Sequence, residues 1–119
     1  MIIPNTGFSK AERVCKRTEI DRIFKAGARY SCKGMRLNVM PNALKVSRAV
    51  FVPVRSFPSA VSRNLARRLV REAWRLGKTD LKSGFDVAVV LYPGSDTFDE
   101  RNAQLCRLLR QAGLLARSA

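Results

Sequence analysis

Phe85-Asp-Val-Ala-Val-Val-Leu-Tyr92 is apolar at nearly every position. A strand with one wet face alternates apolar and polar residues, so this run marks a central strand covered on both faces. Pro93-Gly94 breaks it. Before it, Lys78 to Gly84 reads as a linker. Earlier still, Ser59-Ala-Val-Ser-Arg-Asn-Leu-Ala-Arg-Arg-Leu-Val-Arg-Glu-Ala-Trp-Arg-Leu76 has the periodicity of a helix. Ser59 is the expected N-cap and Gly77 the stop, which predicts a helix over 60–76.

Thr97 and Glu100 form a capping box on the far side of the central strand. Phe98, Leu105, Leu108, Leu109 and Ala112 make the buried stripe of a final helix ending near Gly113. Upstream, Ser47 to Val54 is rich in Val and Phe and reads as a strand, with Pro53 placing its end at an edge or bulge. Met35, Leu37 and Val39 alternate with Arg36 and Asn38 in a strand from Met35 to Met40. Another strand covers Arg29 to Lys33, and Pro41-Asn42 marks a turn. Thr18 with Asp21 forms an acidic variant of the capping box. Ile20, Ile23 and Phe24 then share one face up to Gly27, predicting a first helix over 19–26. The order α-β-β-β-α-β-α gives an α+β fold, a two-layer sandwich with helices on one face of a sheet. Residues 1–17 are expected to be a basic, loosely structured arm carrying Lys10, Arg13, Lys16 and Arg17. A single domain spans 18–113, with a tail over 114–119.

The helix over 60–76 carries the functional signal. At about 100° per residue, Arg63, Asn64, Arg67, Arg68, Arg71, Glu72 and Arg75 fall in an arc of roughly 180°. Leu65, Ala66, Leu69, Val70, Ala73 and Leu76 fill most of the remainder, and Trp74 lies at the border, where its ring would keep one edge accessible. A solvated helix face mixes charge signs, but here Glu72 alone offsets five arginines. Arginine's planar fork suits phosphate. The whole chain is basic too, with 23 Lys and Arg against 9 Asp and Glu for a net charge of +14. A polyanionic partner follows, and the small aliphatic residues opposite the arginines suit a protein core rather than a membrane surface.

The missing residues limit the chemistry. Histidine is absent, and of the nine acids only Asp99 and Glu100 are adjacent, at a helix start where capping explains them. Neither a protein-borne hydrolytic centre nor a metal site is expected. Gly77-Lys78-Thr79 looks like the end of a phosphate-binding loop, but Glu72 stands where that motif needs glycine, and a helix precedes the lysine where one should follow. Cys15, Cys32 and Cys106 are odd in number and widely spaced, which points to free thiols in a reducing cytoplasm. The N-terminal residues have the pattern of neither a signal peptide nor a membrane span.

The run Arg63-Asn-Leu-Ala-Arg-Arg-Leu-Val-Arg-Glu-Ala-Trp-Arg75 resembles the arginine-asparagine-arginine helix of the bacterial ribonuclease P protein component. Lys16-Arg-Thr-Glu-Ile-Asp-Arg-Ile-Phe-Lys-Ala-Gly27 is similar to that family's first helix. Pro41-Asn42, Ser47-Arg48 and Gly84-Phe-Asp-Val-Ala-Val-Val90 match its strands and their borders, so ordered matches cover nearly the whole chain. The resemblance implies the protein subunit of an RNA enzyme, an endoribonuclease that removes the 5′ leader from precursor tRNA. Its partners would be the ribonuclease P RNA subunit and precursor tRNA, with a monomeric protein bound to one RNA and no membrane involved. Catalysis would be RNA-borne, with Mg2+ held mainly by the RNA. The resemblance also implies a mixed four-stranded sheet with a left-handed β-α-β crossover, against the usual hand.

Carried over by position, Arg63, Asn64, Arg67, Arg68, Arg71 and Arg75 would contact RNA, while Ile20, Arg22, Phe24, Lys25 and Asn38 would line a cleft for the single-stranded leader. Three residues depart from the pattern. Leu65 replaces the motif's second arginine, Ile20 replaces an aromatic, and Asn38 stands where tyrosine is frequent. A base stacked on an aromatic is worth about 1–3 kcal/mol, so this cleft is expected to lean more on charge and apolar contact. For Ile23, core packing and a place in the cleft are both open. The competing class is a structural RNA-binding protein resembling a ribosomal protein, which would promote no reaction. A protein nuclease is the third reading.

Overall fold

The computed structural model describes residues 12–95 and 97–115. Strand β4 (Phe85–Leu91) lies between β2 (Met35–Pro41) and β3 (Arg48–Pro53), and β1 (Ala28–Cys32) completes the sheet in the order β1-β2-β4-β3. The first two pairings are antiparallel and that of β3 with β4 is parallel, so the sheet is mixed. Val89 at its centre faces Leu37 on one side and Phe51 on the other. Pro53 closes the edge strand β3, where the missing N–H is tolerated.

Three helices pack on this sheet: α1 (Arg17–Ala26), α2 (Ala60–Gly77) and α3 (Phe98–Gln111). The α+β class is the one read from the sequence, and the mixed four-stranded sheet is the one the resemblance implies. The helices, however, divide between two faces where one was expected. Met35, Leu37, Phe51, Val87 and Val89 meet Val70, Trp74, Leu105 and Leu108 of α2 and α3. On the opposite face Ile23 of α1 joins Val14 and Ala88, with Ile20, Phe24, Met40 and Val50 packed around them. Side chains of β4 alternate between the faces, so its apolar run, interrupted only by Asp86, needs cover on both.

Trp74 is only 1% exposed and meets Phe51 edge-on, with ring centroids 6.2 Å apart at 74°. It is a core residue, not the half-accessible border ring expected.

Two N-terminal expectations are corrected. Lys16, not Thr18, is the N-cap of α1 and makes no side-chain cap, so Thr18 sits within the first turn. Of the expected loose arm, Lys10 lies outside the described residues, while residues 12–16 are partly fastened. Val14 is buried, its N–H donates to the Ala49 carbonyl at 3.1 Å, and Arg13 forms a parallel bridge with Ala49. This short pairing covers part of the open edge of β3. At the other end Leu114 is also buried, so the core draws on the expected tail.

Gly27 ends α1 with φ −73°, so the left-handed conformation is not the reason for glycine there. A Cβ would stand 2.5 Å from the Ile23 carbonyl oxygen and 3.1 Å from the Val39 backbone. Glycine lets α1 turn into β1 against β2.

Candidate nucleic-acid interface

The arginine helix begins where the sequence places it. Ser59 Oγ accepts from the Ser62 N–H at 3.1 Å, and Ser62 Oγ accepts from the Ser59 N–H at 3.2 Å, a reciprocal cap that fixes the phase of α2. Ala66, Val70, Ala73 and Trp74 are thereby turned into the core. Asn64, Arg68 and Arg71 are exposed, and Arg63, Arg67 and Arg75 are half-buried. Asn64, Arg67, Arg68 and Arg71 wall a shallow groove of about 230 Å³. A second hollow of about 140 Å³ lies between Arg67 and Arg71 on one side and Arg13, Cys15 and Val50 on the other. The basic surface thus runs from α2 across the edge of β3 to Arg13.

The charges on this face are uneven. Arg75 grips Glu72 with two donors, Nε to Oε2 at 2.9 Å and Nη2 to Oε1. The bond from Arg75 holds the Glu72 carboxyl below its ordinary range. Arg63, Arg67, Arg68 and Arg71 have no ion pair among the described residues. Like charges at i,i+4 cost a helix about 0.2–0.5 kcal/mol per pair, which the sequence incurs at 63/67, 67/71 and 71/75. A polyanion laid along this face would relieve that repulsion.

The residues expected in the leader cleft do not all meet. Ile20 and Phe24 are half-buried against Val14, Ile23 and Ala88, and Ile23 itself is core, with no exposed surface. Arg22 and Lys25 are exposed. Arg22 overlooks a hollow of about 400 Å³ shared with Met40, Asn42 and the carboxylates of Glu19 and Asp86. Asn38 corrects the expectation. It points to the α1 side of β2 and is fully buried, so it lines no open surface. Its Oδ1 accepts from Arg36 Nε at 3.3 Å, and its Nδ2 has no partner.

Two charged clamps escape sequence reasoning. Arg48 Nε and Nη2 donate to the two Asp86 oxygens at 2.8 and 2.7 Å, and Nη2 also reaches Glu19 Oε2 at 3.0 Å. The bond to Asp86 is the main reason the Arg48 guanidinium is pushed above its already high value. Asn42 Nδ2 adds a bond to Asp86 at 2.9 Å. This network joins α1 to β3 and β4; its one signal in the sequence was Asp86, the single charge in the apolar run. Arg101 of α3 is fully buried and donates to the carbonyls of Gly34 at 2.9 Å and Tyr92 at 2.7 Å. It ties the β1–β2 turn to the end of β4, and no local pattern announces it.

Among the described residues no three His, Cys, Asp or Glu side chains cluster as metal ligands, and the neighbouring carboxylates Glu19 and Asp86 are both taken by Arg48. These donors do not suit a resident magnesium ion. No described helix is long and apolar enough to cross a membrane.

Comparison with known proteins bears on this surface. The family described as Ribonuclease P matches residues 8–113. The ribonuclease P protein component of Chloroflexus aggregans is 34% identical over 109 residues, covering 89% of this chain and 81% of that protein. That of Natranaerobius thermophilus is 29% identical over 105 residues, covering 87% and 91%. Among solved structures, the Thermotoga maritima RNase P protein superposes with TM-score 0.76 at 28% identity, over 84% of this chain and 96% of that one. The Staphylococcus aureus RNase P protein shares the fold, with TM-score 0.81 at 22% identity over 89% and 99%.

Proposed function

The chain belongs to the ribonuclease P protein family, and on that premise we propose that it is the protein subunit of a ribonuclease P holoenzyme. It binds the RNA subunit through α2 and holds the 5′ leader of precursor tRNA, promoting endonucleolytic removal of the leader. The observation that carries this reading is the α2 surface, where Asn64, Arg67, Arg68 and Arg71 wall one groove of a helix whose Ala66, Val70, Ala73 and Trp74 are core, with Arg63 half-buried one turn before Arg67. Bidentate guanidinium bonds to phosphate oxygens are the chemistry such a surface offers. Arg75 contributes less while Glu72 holds it. Ile20, Phe24, Arg22 and Lys25 are the residues we assign to the leader; Asn38 is withdrawn from that set because it is buried.

Bond cleavage is left to the RNA, which also holds the Mg2+; the protein's part is to neutralise phosphates and orient the substrate. We place the holoenzyme in the cytoplasm, with one protein per RNA. The test adds the protein to a bacterial ribonuclease P RNA at low magnesium and follows cleavage of precursor tRNA. Stimulation is expected. RNA binding without stimulation would favour a structural RNA-binding role instead.

A further inference from the structure

Where α2 ends, a pocket of about 290 Å³ opens between the β2–β3 loop and the segment leading into β4. No residue lines both this pocket and the arginine groove. Its apolar lining is the exposed Val46, the half-buried Leu81 and the buried Trp74, and its basic lining is Lys45, Lys78 and Lys82, with Thr79 beside them. Its one acid, Glu12, is bridged by Lys78 Nζ at 3.0 and 3.1 Å. Lys45 and Lys82 are exposed and have no ion pair among the described residues.

The walls are held together before any ligand arrives. Ser47 Oγ donates to the Lys82 carbonyl at 2.6 Å and accepts from the Phe85 N–H at 3.2 Å, so the two lysine-bearing segments share one anchor. Asn42 shapes the loop that carries Lys45, donating to the Val46 carbonyl at 3.1 Å and accepting from the Leu44 N–H at 2.8 Å. The volume is at the small end of ligand-sized pockets. Two unneutralised ammonium groups suit a phosphate, and the aliphatic Val46 and Leu81 beside them give a base an apolar surface to lie on. The pocket lies at the C-terminal end of α2, lined by Trp74 within the helix and by Lys78 one residue past Gly77.

We propose that this pocket takes one phosphate-bearing nucleotide of an RNA strand, extending the RNA interface beyond the arginine face. The inference rests on the chain being an RNA-binding subunit. Its test uses the full chain with Lys45→Ala/Lys82→Ala, and Arg67→Ala/Arg71→Ala as the control. Affinity for ribonuclease P RNA is measured over a salt series, and emission from Trp74, the sole tryptophan, is followed on adding a short oligoadenylate or inorganic phosphate.

For the lysine variant, the slope of log affinity against log salt is expected to be shallower by about 0.7, one phosphate contact. The Trp74 response to oligoadenylate is expected to vanish in that variant and survive in the arginine control. An unchanged slope or an unchanged Trp74 response in the lysine variant overturns the proposal. An equal response to inorganic phosphate also overturns it, since a bare anion site would suffice. If the native chain fails to bind ribonuclease P RNA, the holoenzyme reading falls, and the oligoadenylate response still decides the pocket.

Discussion

Arg48 meets Asp86 fork to fork, with donor–acceptor distances of 2.8 and 2.7 Å, at the point where β3 and β4 run side by side beneath the start of α1. The side chains are only 16% and 9% exposed. Deleting one partner of such a pair leaves the other charge buried and uncompensated, which costs about 3–5 kcal/mol. Arg48→Ala is therefore expected to lower unfolding free energy by that amount in urea titration. A loss below about 1 kcal/mol would show that solvent already screens the pair.

Glu72 restrains Arg75. Glu72→Gln removes the carboxylate without changing the shape of the side chain, so Arg75 becomes available to phosphate. RNA affinity should rise, and its salt slope should steepen by up to about 0.7–0.9, one further contact. An unchanged slope in filter binding would place Arg75 outside the interface.

Phe24 is half-buried and packs against Ile23 and Ala88. If its remaining surface meets the leader, Phe24→Ala should weaken precursor tRNA with a long leader by about 1–3 kcal/mol more than mature tRNA. Equal losses for both RNAs would assign Phe24 to packing alone.

Ala43 adopts φ 60° in the β2–β3 loop, a left-handed conformation that costs an L-residue about 1–2 kcal/mol. The Asn42 side chain holds it there by accepting from Leu44 N–H. Glycine relieves the strain and returns part of the gain as unfolded-chain entropy, so Ala43→Gly should raise stability by about 0.5–1 kcal/mol. A lower urea midpoint would contradict this.

Much of the molecule was legible from local rules. Ser59 caps α2, β4 is central, and Ala66, Val70 and Ala73 are buried while Asn64, Arg68 and Arg71 are exposed, because capping and periodicity are properties of neighbouring positions; Leu76, on the expected apolar side, is exposed all the same, and Trp74 turns into the core beside the arginines. What escaped depends on distant partners. Arg101 finds its acceptors at Gly34 and Tyr92, and Val14 pairs with Ala49; neither contact leaves a trace in spacing. The side of the sheet taken by α1 was legible only in part, through apolar Ala88 and Val90 on the second face of β4. Asn38 was misplaced for the same reason: strand alternation gives its face, but not that α1 and Arg36 close over it.

The arginine face of α2 is the surface we propose for RNA. Its most direct test is the affinity of Arg67→Glu/Arg68→Glu/Arg71→Glu for ribonuclease P RNA, with circular dichroism run alongside. All three side chains lie outside the core, so a native spectrum and loss of RNA binding are predicted. A folded variant that binds RNA as tightly as the native chain would show that this face is merely solvated.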